Sequence, residues 1–77
     1  MTLADVPLGA SARVTDLAAD VPARVLEMGV LPGTVVEVVR YAPLGDPMDV
    51  RVRGFHLSLR RAEAAAVRVE PLSPDPA

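Results

Sequence analysis

The side chains able to do chemistry are few and scattered. His56 is the sole histidine and there is no cysteine. A metal site would need His56 together with carboxylates such as Asp46, Asp49 or Glu63. One imidazole and two or three scattered oxygens lack the ligand number and spacing of a structural or catalytic metal centre. His56 is therefore a weak metal candidate and is expected to be an exposed structural histidine; no cofactor is expected. No serine–histidine–carboxylate arrangement, P-loop or glycine-rich dinucleotide motif appears either, so no enzymatic activity is expected.

Residues suited to binding are easier to find. The loop over 42–47, Ala-Pro-Leu-Gly-Asp-Pro, holds two prolines and a glycine in six positions. Pro43 and Pro47 reduce the entropy lost on docking, and Leu44 offers an apolar anchor. With Gly45 and Asp46, these residues are the first choice for a partner contact, against a plain connecting turn in which Asp46 bonds to backbone. Leu31 and Pro32 form a second candidate surface, in a turn that Gly29 and Gly33 make possible. Val35, Val39 and Tyr41 would line an exposed apolar stripe on one strand, free for a partner or covered by the helix or by a second copy. Arg51, Arg53 and Arg60, with Arg61 nearby, would share the outer face of a hairpin. They would meet an acidic partner or phosphates there, or more simply form a solvated face paired with Asp49 and Glu63.

These residues must be positioned by a small domain. The chain has 77 residues, a net charge of −2, and 51% hydrophobic residues of which only Tyr41 and Phe55 are aromatic. A domain of this size buries only ~60% of the surface its unfolded chain exposes, which leaves little for a deep cleft. The core must be valine, leucine and alanine. All eight basic residues are arginine. An acidic balance with few aromatics disfavours nucleic-acid binding, where phosphate neutralisation supplies most of the affinity. No apolar run approaches the ~20 residues needed to span a bilayer, and the N-terminal residues lack a signal-peptide pattern. The absence of cysteine fits a reducing cytosol.

The stretch 25–39 organises the rest. A short helix ends at Gly29, which suits the left-handed closing position. Val30 and Leu31 plug the core, and Pro32 with Gly33 makes a type II turn. Before it, 12–17 reads as a strand with Ala12 and Val14 inward. Asp20 would cap the helix with Pro22 in its first turn, and Val21, Val25 and Met28 fall on one helical face. Leu3, Val6 and Leu8 would cover an open end. After it, 34–42 reads as a strand with Val36 and Val38 inward. The runs 48–53 and 55–59 form a hairpin around Gly54, residues 60–64 make one helical turn, and 66–70 is a last strand with Val67 and Val69 inward. A single domain over 1–70 and a disordered tail over 71–77 are expected. The fold class is mostly β with one short helix, an SH3-like small barrel of about five strands whose closure removes most edges.

At these residues the chain resembles the FeoA family. The matching segments are Leu-Glu-Met-Gly-Val-Leu-Pro-Gly over 26–33, Val-Val-Arg-Tyr-Ala-Pro-Leu-Gly-Asp-Pro over 38–47, and Leu-Ser-Leu-Arg over 57–60 with Glu63 and Ala64. The resemblance covers roughly residues 3–70. It implies an SH3-like accessory protein of bacterial ferrous iron uptake. Its partner would be the cytoplasmic part of FeoB, a membrane transporter with a GTP-binding domain. The same resemblance extends to the C-terminal domain of iron-dependent repressors, and a metal-sensing regulatory domain is the alternative. With no helix-turn-helix before the barrel, the stand-alone form is expected. Cytoplasmic localisation follows, with recruitment to the inner face of the membrane through the partner and no direct insertion; weak self-association stays open.

Overall fold

A computed structural model describes residues 1–72. Its five strands are β1 (Ser11–Leu17), β2 (Val35–Tyr41), β3 (Met48–Val52), β4 (Phe55–Leu59) and β5 (Val67–Pro71). They form one antiparallel sheet in the order β4-β3-β2-β1-β5. Two short helices interrupt them, α1 (Ala23–Glu27) and α2 (Arg61–Ala64), and a 3-10 turn occupies Leu3–Asp5. β-Branched residues favour the pleated backbone, and their alternation selects the buried face. Ala12 and Val14, Val36 and Val38, Val50 and Val52, Leu59, and Val67 and Val69 all enter one core with Met48. That the inner residues of all five strands share one cluster shows that the sheet folds over itself.

Several expectations change on this scaffold. α1 begins at Ala23 with Pro22, in extended geometry, as its N-cap and no side-chain cap, so neither Asp20 nor Pro22 takes its expected role. Val25 is fully buried, whereas Val21 and Met28 pack at the core's margin. Leu3 and Val6 close the open end, but Leu8 is exposed. β5 includes Pro71, and the Leu72 N–H donates to the Ser11 carbonyl at 3.2 Å. The tail expected beyond it falls on 73–77, outside the described residues. Edges also survive, because β4 and β5 lie at opposite ends of the strand order and do not pair with each other among the described residues.

The largest correction concerns Tyr41. Val38 pairs with Val50 and Arg40 with Asp49, so Val39 is an extra residue in the β2 ladder. A bulge of this kind shifts the side-chain alternation by one. Tyr41 therefore lies opposite the buried Met48 and packs against the core, while Val35 and Val39 stay exposed on the outer side. The expected three-residue stripe is a pair.

Candidate functional site

The bulge, α2 and the N-terminal turn together hold the loop at 42–47. The Tyr41 hydroxyl donates to the Val6 carbonyl at 2.5 Å. The Arg61 guanidinium stands 5.7 Å from the Tyr41 ring centroid and donates through Nη2 to the Ala4 carbonyl at 3.2 Å. A cation over the face of an aromatic ring is attracted by the ring's quadrupole. The Arg61 backbone N–H donates to Asp46 Oδ1 at 3.1 Å, satisfying a donor that the first turn of α2 leaves free. Within the loop, the Ala42 N–H donates to the Pro47 carbonyl at 3.0 Å and the Gly45 N–H to the Ala42 carbonyl at 2.7 Å. Gly45 takes φ 87°, a conformation that side chains with a Cβ rarely adopt.

This base leaves the apex in solvent. Leu44 is 96% exposed, the most exposed large apolar residue among those described. A shallow depression beside it is lined by Arg40, Tyr41, Ala42, Pro43, Pro47 and Asp49. Its charged rim is fixed. The Ser58 hydroxyl donates to Asp49 Oδ1 at 2.7 Å, and Arg40 donates to Asp49 Oδ2 at 3.1 Å. The Ser58 hydrogen bond first, and then Arg40, hold the Asp49 carboxyl below its ordinary range.

Leu31 and Pro32 lie elsewhere. The turn that carries them enters β2, whereas the 42–47 loop leaves it, so the two sit at opposite ends of a seven-residue strand. That is about 20 Å of extended chain. The Gly33 N–H donates to the Val14 carbonyl at 2.7 Å and the Val14 N–H to the Thr34 carbonyl at 2.8 Å, which ties this turn to β1. The expected type II geometry is present, with Gly33 at φ 92° and the Thr34 N–H on the Leu31 carbonyl at 3.0 Å. Of the expected plug, Val30 is fully buried but Leu31 is 41% exposed.

The carboxylates considered as metal partners of His56 are dispersed. Asp46 serves Arg61, Asp49 serves Ser58 and Arg40, and Glu63 is held by Arg24 at 2.5 Å. Glu63 also accepts the Arg60 N–H at 2.9 Å. Among the described residues no group of three or more histidines and carboxylates is placed to hold a metal ion. The ion pairs also differ from those expected: Asp49 and Glu63 pair with Arg40 and Arg24, while Arg51 pairs with Glu37. Sequence reasoning further missed Phe55, which is 72% exposed. Its position directly after the hairpin turn, at the tip of an outer strand, was the available signal.

Comparison with known proteins places this geometry in a family. The FeoA domain model matches residues 1–71. A fusion of Fe(2+) transport protein A with the Fe(2+) transporter FeoB, from Porphyromonas gingivalis, is 46% identical over 50 residues; the match covers 65% of this chain and 6% of that protein. The solution structure of FeoA from Chlorobium tepidum superposes with a TM-score of 0.86 at 39% identity, over 97% of this chain and 73% of that one. The zinc complex of FeoA from Stenotrophomonas maltophilia, a prokaryotic SH3 domain protein, gives 0.79 at 34% identity, over 91% and 89%. The fold is therefore SH3-like. A manganese-dependent transcriptional repressor shares the fold alone, with 18% identity and a TM-score of 0.84 over 94% of this chain and 36% of its own.

Proposed function

Because the chain belongs to the FeoA family, we propose that it is a non-enzymatic accessory of ferrous iron uptake that binds the cytoplasmic part of a FeoB-type transporter. The observation that carries this reading is Leu44, 96% exposed at the apex of a loop whose base is hydrogen-bonded at both Ala42 and Asp46. A loop already held in one shape loses less entropy on docking, so more of the contact energy appears as affinity. Pro43, Gly45 and Asp46 shape the loop, Tyr41 anchors it from below, and Leu31 with Pro32 supplies a separate contact at the far end of β2. The bacterial fusion protein lends support, since joining two modules on one chain raises their effective concentration to the millimolar range for short linkers.

On this reading the chain works at the inner face of the membrane through its partner. No helix among the described residues is long and apolar enough to cross a membrane. Any nucleotide hydrolysis belongs to the transporter, and this domain acts by binding one of its states in preference to another.

The test is co-purification with detergent-solubilised full-length FeoB, with and without a GTP analogue. Retention of the wild-type chain and loss of retention with Leu44→Asp are expected. A folded Leu44→Asp variant that is retained as well as the wild type rules out this loop as the main anchor. A wild-type chain that is retained in neither nucleotide state rules out the partner.

A further inference from the structure

The β3–β4 hairpin carries an aromatic and two arginines that the Leu44 loop leaves unused. Its turn residues, Arg53 and Gly54, both have positive φ, 52° and 83°. That is the mark of a two-residue type I′ turn, which fixes the ladder around it. Val52 and Phe55 flank the turn and pair directly. They exchange both backbone bonds, so alternation aims the N–H and C=O of Phe55, Leu57 and Leu59 at β3. The backbone groups of His56 and Ser58 then point the other way, to the side where β4 has no neighbouring strand among the described residues. One contact on that side agrees, since Arg24 Nη2 reaches the Ser58 carbonyl at 3.5 Å. The His56 N–H, the His56 carbonyl and the Ser58 N–H have no backbone partner there among the described residues.

Several side chains around this edge are uncommitted as well, although the Ser58 hydroxyl is held by Asp49. Phe55 lies on the core side of β4 but beyond the core, 72% exposed, with the half-buried Leu57 next to it. Five of the eight arginines are in ion pairs, namely Arg13, Arg24, Arg40, Arg51 and Arg68. Arg61 is engaged with Ala4 and Tyr41. The remaining two, Arg53 and Arg60, are exposed and lie outside these ion pairs among the described residues, with Arg60 close enough for its charge to favour the Glu63 carboxylate. They stand at the two ends of β4, one in the turn before it and one directly after it.

We propose that the open edge of β4 receives an extended acidic segment of a partner protein, which adds to the sheet as a sixth strand. Strand addition uses backbone hydrogen bonds for affinity and alternate side chains for selection. Here the His56 N–H and carbonyl and the Ser58 N–H supply the backbone bonds, and Phe55 with Leu57 supplies the apolar contact. Arg53 and Arg60 meet carboxylates at the two ends of the segment, a five-residue strand apart, or about 17 Å. The charge on this hairpin sets the partner's sign. The hairpin, residues 48–59, holds Arg51 and Arg53 against Asp49, and Arg60 and Arg61 follow it directly, in a chain of net charge −2. A second copy docking through its own β4 would bring the same arginines together, which disfavours that occupant.

The experiment titrates the ¹⁵N-labelled full chain with an acetylated, amidated heptapeptide, Glu-Val-Thr-Val-Thr-Val-Glu, followed by amide shifts and hydrogen exchange. Saturable shifts centred on β4, with slowed exchange at the His56 and Ser58 amides, are expected. Replacing both peptide glutamates by lysine is expected to weaken binding by about fivefold or more, as is combining Arg53→Asn with Arg60→Gln in the protein. Asparagine tolerates positive φ, so the variant keeps the turn. A peptide N-methylated along its pairing edge is expected not to bind, and Leu44→Asp is expected to leave the titration unchanged. Shifts centred on the 42–47 loop, equal binding of the lysine peptide, or no saturable shift would each overturn the proposal. So would displacement of the peptide by a single-stranded oligonucleotide at lower concentration, or protection of His56 in peptide-free protein that rises with protein concentration.

Discussion

The turn at 29–33, Gly-Val-Leu-Pro-Gly, and the loop at 42–47, Ala-Pro-Leu-Gly-Asp-Pro, bracket β2 with nearly the same residue types. Both use a glycine at positive φ, Gly33 at 92° and Gly45 at 87°. Beyond that they diverge. The first turn is bonded to β1 on both sides of Gly33 and Thr34, and it drives Val30 into the core. The second is tied only at its base, through Ala42, Pro47 and Asp46, and it lifts Leu44 away from the protein. Leucine, proline and glycine specify a bend in either case. What decides between fastening and display is whether a neighbouring strand has free backbone groups beside the bend, and β1 provides them only at the first.

The sharpest way to break this contrast is to remove the apolar plug. Val30→Ala deletes two buried methyl groups from a fully enclosed site. A loss of about 2 kcal/mol is expected, or a fall in Tm of roughly 10 °C in a domain of this size. Thermal unfolding followed by circular dichroism reads it directly. A change within experimental error would mean that the turn is not fastened by its core contact.

Next in size is the pair of glycines. A Cβ at either Gly33 or Gly45 meets no atom within 4 Å, so the cost of Gly33→Ala and Gly45→Ala is conformational and not steric. At Gly33 the hydrogen bonds to β1 prevent relaxation, and a loss of about 1–2 kcal/mol is expected. At Gly45 the loop can adjust around its base, and the loss is expected to be smaller. Equal losses in urea unfolding would show the two bends to be equally constrained, and the contrast would fail.

The sequence made much of this legible, and the misses have a common cause. Alternation placed Ala12 and Val14, and Val67 and Val69, on the core side, because period two and burial are coupled in a one-sided sheet, and on β2 the cost of burying Glu37 chose Val36 and Val38 over Val35 and Val39. The Pro32–Gly33 geometry and the exposure of Leu44 followed from local backbone preferences. Tyr41 went wrong because a bulge is defined by the partner strand. Nothing in Val-Val-Arg-Tyr says that Asp49 will face two residues. The ion pairs went wrong for a related reason. Glu63 and Arg24 are 39 positions apart, and only the tertiary fold brings the two side chains together. Phe55 alternates in step with the buried Leu59, yet its place at the end of an outer strand leaves it 72% exposed. Long-range placement was hidden, and local conformation was not.

The Arg24–Glu63 pair extends the contrast to pH, since it fastens α1 to α2 while no charge holds Leu44. The Arg24 hydrogen bonds first, aided by the Arg60 N–H, hold the Glu63 carboxyl below its ordinary value of 4.5. A carboxyl depressed in the folded state adds stability that is fully present above the unfolded value and is lost as pH falls through the folded one. Glu63→Gln is therefore expected to lower the urea midpoint modestly at pH 7, and the gap to the wild type is expected to narrow as pH drops below the ordinary value of 4.5. Asp49 and Asp5, also depressed, lose their contributions in both proteins and cancel in the comparison. A gap that stays constant with pH would show that Glu63 acts through packing, with its charge irrelevant.

The smallest expected effect is the one that most sharpens the distinction between fastening and display. Leu44→Asp places a charge on a residue that is 96% exposed, so burial of the charge costs nothing and little apolar area is lost from the core. The loop's hydrogen bonds run through the backbone of Ala42, Gly45 and Pro47 and the side chain of Asp46, none of which the substitution removes. Stability is therefore expected to stay within about 0.5 kcal/mol of the wild type, with an unchanged dependence on urea concentration. A drop comparable to that of Val30→Ala would mean that Leu44 is covered in solution. The contrast between the two bends would then disappear, and the search for its cover would begin with the depression lined by Arg40, Tyr41 and Pro43.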